Sequence, residues 1–165
     1  MAEATSDSAV PEQPEQSEPT IEEIRASNKR GLWVLLALGA LALATDDPTV
    51  RQAALKEGEA LLQAGAVSHN HLLFRRDAID AYLGAGDWEG AERSAAALED
   101  YTRAEPLPFS GFYIARARAL AARGGGRSDP TALAAELERL RKEGERLGLR
   151  VALPAIERAI KEIRG

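Results

Sequence analysis

Apolar residues recur along most of this chain at steps of three and four. Leu133, Leu137, Leu140 and Leu147 mark one such run, and Ile156, Ile160 and Ile163 mark another. That spacing lays one apolar stripe along a helix face. Around the second run stand Glu157, Arg158, Lys161, Glu162 and Arg164, the pattern of a closing helix with one wet face. Residues 32–44 differ, being uninterrupted apolar or glycine between Lys29–Arg30 and Asp46–Asp47. That run makes roughly 20 Å of helix, and crossing a bilayer takes about 20 residues. A buried helix, apolar on all sides, is therefore expected. The order of the flanking charges also suits a short membrane anchor with its positive side inward.

Helix breaks recur as regularly as the stripes. "DDP" at 46–48 and "SDP" at 128–130 each offer an aspartate N-cap followed by proline in the first helical turn, and "GDW" at 86–88 pairs a terminating glycine with an aspartate cap. Asp47, Asp87 and Asp129 are thus spaced by about forty residues. A second kind of break falls between them, at 65–70, 104–110 and 148–154; in the first of these Ser68 is the expected cap. Helices are expected at 31–45, 48–63, 69–84, 88–103, 109–123, 130–147 and 152–163. Two helices per repeat of about forty residues is the signature of an α-solenoid, in which neighbouring pairs bury each other's apolar faces. The expected fold is all-α, with three helical hairpins and a C-terminal capping helix in a domain spanning 29–165. Residues 1–28 read as a disordered acidic tail, because their Pro, Glu, Gln and Ser offer little apolar surface to offset the entropy of ordering. The tail also lacks the basic start and apolar run of a secretory signal.

Composition agrees with the helical reading. Apolar residues make up 45% of the chain but aromatics only 5%, and alanine and leucine dominate. With no cysteine, disulfides, thiolate zinc sites and thiol nucleophiles are excluded, and a cytoplasmic setting is allowed. The net charge of −5 sits mostly in residues 1–30, which hold seven acids against three bases. The remainder is nearly neutral and has no basic cluster fit to neutralise phosphates, so nucleic acid is not an expected partner.

Candidate chemistry is sparse. His69 and His71 precede Asp77 and Asp80, a set that could hold a metal or serve acid/base work. The two histidines are two residues apart, however, and helical ligand pairs need three or four to share a face. A helix start with His71 entering the packing layer is the expected role, with Asp77 and Asp80 pairing with Arg76 or Arg75. "GGGR" at 124–127 follows a helix, not the strand that a phosphate loop needs, and reads as a turn.

The segment "RRDAIDAYLGAGDWEGAERSAAALEDY" resembles a tetratricopeptide repeat. Tyr82, Gly86, Trp88 and Ala91 match its aromatic, turn glycine, second aromatic and small crossing residue; Arg75, Ala95, Leu98 and Pro106 depart from it. Over about 31–164, "LGALALATDDP", "KEGEALLQAGAVSHNHLLFRRDAIDAYLGAGDWEGAE", "ALEDYTRAEPLPF" and "ARARALAARG" resemble the helical-repeat tail downstream of class III adenylate/guanylate cyclase and ATPase modules in bacterial multidomain signalling proteins. No phosphate loop or cyclase core accompanies them in this sequence. The resemblance implies a non-enzymatic interaction or regulatory module without a cofactor. It implies a groove lined by the first helices of the pairs, which places Leu73, Arg76, Asp80 and Leu83 on that face. The next pair would add Arg116, Arg118 or Arg123 according to register. Phe112 and Tyr113 beside Arg116 are candidate anchors, and such an arginine-bearing groove suits an acidic protein or peptide partner. The alternatives are a membrane-anchored adaptor using 32–44 and a metal-dependent enzyme using the His69/His71 region.

Overall fold

The computed structural model describes residues 21–66, 69–126 and 129–165, with 21–30 and 32 described by backbone alone. Among the described residues the chain forms α1 (Ile21–Ala44), α2 (Pro48–Gln63), α3 (His69–Gly84), α4 (Trp88–Thr102), α5 (Pro108–Gly124), α6 (Pro130–Arg146) and α7 (Leu153–Arg164). A single 3-10 turn, Arg150–Ala152, leads into α7, and no strand is present among these residues. The fold is all-α.

The aspartate punctuation works as expected. Asp47 Oδ1 accepts from Thr49 N at 2.7 Å and Val50 N at 3.3 Å, Asp87 Oδ1 from Gly90 N at 2.7 Å, and Asp129 Oδ1 from Ala132 N at 2.8 Å. Each carboxylate satisfies amides that a helix N-terminus otherwise leaves bare. Gly86 closes α3 at a φ of 72°, a conformation that costs glycine nothing. The expected Ser68 cap lies outside the described residues.

Two expectations about the first helix need correction. α1 begins at Ile21, not 31, so 21–28 of the expected tail belong to the helix, whereas residues 1–20 lie outside the description. The stretch "IEEIRASNKR" has no proline or glycine to stop a helix already anchored at 32–44, and propagation from a formed helix is easy. Nor is 32–44 buried all round. Leu35, Gly39 and Ala42 are buried, but Trp33 is 69% exposed and Val34, Leu41 and Leu43 are exposed as well. The cause is position: among the described residues α1 packs only on α2 and α3. No helix among the described residues is long and apolar enough to cross a membrane.

Each helix packs on the next, and α1, α3, α5 and α7 also pack on one another in sequence, whereas α2, α4 and α6 do not touch. The odd helices therefore form one continuous row. α3 serves two cores. Phe74, Ala78 and Ala81 join Leu35, Ala42 and Leu55 between α1, α2 and α3, and Ile79 joins Leu98, Phe112, Tyr113, Leu137 and Ile156. Across these seams aromatic rings lie on glycines. A β-carbon added to Gly58 would strike the Phe74 ring, one on Gly90 the Tyr82 ring, and one on Gly124 the Trp88 indole.

Candidate functional site

The row of odd helices carries an open cavity of about 450 Å³ where the C-terminal half of α3 faces α5 and α7. Asp80 and Leu83 of α3, Arg116, Leu120 and Arg123 of α5, and Arg158 and Glu162 of α7 line it, and Trp88 stands at its end. Helical spacing explains the set. Asp80 and Leu83 lie one turn apart, as do Arg116, Leu120 and Arg123, and Arg158 and Glu162 are an i, i+4 pair.

Charge in the cavity is partly neutralised from within. Arg116, 4% exposed, pairs with Asp80 and donates from Nε to the Ala152 carbonyl at 3.1 Å, tying α5 both to α3 and to the turn before α7. Arg123 pairs with Glu162. Arg158 is exposed and pairs with no carboxylate among the described residues. Three guanidinium groups thus meet two carboxylates around one apolar floor made by Leu120, Ala155 and Ala159.

Of the residues expected to face a partner, Asp80, Leu83 and Arg116 line this cavity. Leu73 and Arg76 lie earlier on α3, half-buried and outside it, and Arg76 Nε donates to Asp77 Oδ1 at 2.8 Å. Phe112 and Tyr113 are not surface anchors, being 3% and 1% exposed. α5 packs on α3, α4, α6 and α7, so nearly every face of it is covered. Their rings meet edge to face at 5.4 Å, an ordinary core geometry, and burial pushes the Tyr113 phenol up. Arg118 turns to the opposite side. There it donates from Nε to Glu92 at 3.0 Å and from its terminal nitrogens to Glu99 at 3.1 and 2.9 Å, which holds Glu99 below the usual carboxylate range.

Of the two histidines, His71 makes packing contacts. His71 stacks on Tyr101 with centroids 3.8 Å apart, and its Nε2 donates to the Ala66 carbonyl at 2.8 Å. Burial pushes this imidazole down, opposed by the carbonyl bond, so the neutral ring is favoured. His69 is exposed. Among the described residues no group of three or more His, Asp and Glu side chains could hold a metal ion. Asp77 is 6% exposed, and burial raises its carboxyl against the pull of Arg76. Its carboxylate rests on Gly39 of α1, where a β-carbon would stand 2.7 Å from Oδ2. Asp80 pairs with Arg116 instead of Arg75, which makes a two-bond pair with Glu59 on α2 at 2.8 and 3.1 Å.

The α7 side of the cavity was missing from the sequence expectation. Its signal was Arg158 between Ala155 and Ala159, one charge set over two small residues at helical spacing. No family model, curated protein or solved structure matches the chain.

Proposed function

We propose that this chain is a non-enzymatic protein-interaction module that holds an extended acidic segment of its partner in the cavity of α3, α5 and α7. In this reading the α1–α2, α3–α4 and α5–α6 pairs are tetratricopeptide-like hairpins of an α-solenoid, α7 is the capping helix, and the odd helices line the binding face. The module works in the cytoplasm. The resemblance of 31–164 to cyclase-associated helical tails directs the partner search to that signalling machinery.

The observation that carries the reading is Arg158. It stands exposed over an apolar floor as the third arginine of a cavity whose two carboxylates are already paired with Arg116 and Arg123. A partner carboxylate brought there gains a charge-assisted, two-pronged hydrogen bond, and a partner side chain gains the floor of Leu120, Ala155 and Ala159.

Fluorescence anisotropy with labelled ten-residue peptides tests this. A Glu/Leu peptide is expected to bind and a Lys/Leu peptide is not. Arg158→Glu is expected to weaken the acidic peptide at least tenfold, since a hydrogen bond to a charged group contributes about 1.5–3 kcal/mol. Arg118→Glu, on the far side, is expected to change little. Equal binding of both peptides, or indifference to Arg158→Glu, would overturn the proposal.

A further inference from the structure

Five of the eight exposed large hydrophobic side chains among the described residues lie at one end of the row, while Tyr101, Leu107 and Val151 lie elsewhere. Trp33, Val34, Leu41 and Leu43 lie on α1 and Val50 follows on α2. On α1 they form a helical stripe. Trp33, Ala37, Ala40 and Ala44 run along its centre at steps of four, three and four, and Val34 and Leu41 flank it on one side. All six are exposed, none is charged, and the stripe points away from Leu35, Gly39 and Ala42, which face α2 and α3. Uncharged apolar stripes of this kind mark association surfaces.

We propose that a second copy of this chain covers the stripe, through an antiparallel α1–α1 contact about a two-fold axis level with residues 38 and 39. The stripe is self-complementary in that arrangement. Trp33 meets Ala44 of the second copy and Ala37 meets Ala40, so the indole lies over a small residue and the central alanines let the backbones approach. The flanking charges agree. Lys29–Arg30 before the stripe and Asp46–Asp47 after it are brought level, base to acid, at both ends of the contact. A parallel pair would set like charges together. The chain's own residues 1–20 are a poor cover, because Met1 and Val10 are their only large apolar side chains.

Size sets the strength. Trp33 offers on the order of 150 Å². The stripe and its flanks give several hundred Å² per copy, which two-fold symmetry doubles to roughly the 1,000 Å² at which specific interfaces begin. The dimer is therefore reversible, with a Kd of roughly tens of micromolar.

Sedimentation velocity of the full chain from about 2 to 200 µM is expected to show a monomer passing to a dimer. Ala40→Glu, at an exposed position on the centre line, is expected to remain monomeric throughout while keeping the circular dichroism spectrum and melting temperature of the dilute wild type. Because the chain has no cysteine, an equimolar mixture of Ala37→Cys and Ala40→Cys chains reads the register: oxidation is expected to yield the mixed disulfide dimer above either variant alone. A monomer at every concentration overturns the proposal, as does a dimer indifferent to Ala40→Glu. Co-sedimentation of the wild type with phosphatidylcholine/phosphatidylglycerol vesicles, lost in Ala40→Glu, also overturns it by showing that lipid covers the stripe.

Discussion

Arg116→Ala is expected to lower the free energy of unfolding by about 3 kcal/mol, with the urea midpoint falling and the slope of the transition unchanged. The side chain is 4% exposed and joins three elements, pairing with Asp80 on α3 and donating to the Ala152 carbonyl before α7. Removing one member of a buried pair leaves the other uncompensated, which costs about 3–5 kcal/mol. The side chain of Asp80 is 29% exposed and retains some hydration, which sets the expectation at the lower end. Arg116→Met with Asp80→Asn removes both charges and keeps most of the volume, so this double variant is expected to recover more than half of the loss. If Arg116→Ala unfolds like the wild type, the guanidinium does not bind α5 to α7. Total stabilities of small domains are only about 5–15 kcal/mol, so the effect is a large share of the whole.

Gly58→Ala is expected to destabilise by about 2 kcal/mol, against the usual gain of alanine over glycine in a helix. The added methyl would lie 2.1 Å from two carbons of the Phe74 ring and 3.0 Å from a third, and that ring is 1% exposed and enclosed by the core of α1, α2 and α3. Intrinsic propensity favours alanine by about 1 kcal/mol, but overpacking a filled core costs about 1–3 kcal/mol, and approaches of 2.1 Å to two ring carbons set the cost at the upper end, leaving about 2 kcal/mol net. Gly111→Ala is the internal control. It sits within α5 with nothing within 4 Å of the new β-carbon, and is expected to raise stability by about 0.5–1 kcal/mol. Thermal melts followed by circular dichroism read both: about 4–8 °C down for Gly58→Ala and about 1–4 °C up for Gly111→Ala. Phe74→Leu added to Gly58→Ala is expected to cost less than the sum of the two single changes, because the two side chains share one space.

The boundaries of α2 to α7 were legible because their ends are written in local chemistry. Asp47, Asp87 and Asp129 cap amides two or three residues on, and Gly86 supplies the positive φ that ends α3. The start of α1 was not legible, since "IEEIRASNKR" holds no proline or glycine and the helix runs through Ser27 and Asn28, residue types that favour caps. Burial was harder to read than secondary structure. Trp33 and Phe112 both stand in apolar helical patterns, yet one is on the end of the row and the other in its middle. Periodicity defines a face and says nothing of how many neighbours press on the helix. The candidate cavity divides in the same way. Asp80, Leu83 and Arg116 follow from three- and four-residue steps within α3 and α5, whereas Arg158 and Glu162 depend on how α7 docks after two intervening breaks. The side taken by Arg118 followed from the carboxylates of Glu92 and Glu99 on α4, a tertiary pairing with no local signature.

The central claim, that the cavity of α3, α5 and α7 is where an acidic segment is held, is tested most directly by amide chemical-shift mapping. A ¹⁵N-labelled full chain would be titrated with the Glu/Leu peptide and then with the Lys/Leu peptide. The expected result is a set of shifts confined to the lining of the cavity, strongest around Leu83, Leu120 and Arg158, saturating with the acidic peptide and absent with the basic one. Saturating shifts on the outer helices α2, α4 and α6, with those three sites unmoved, would contradict the claim.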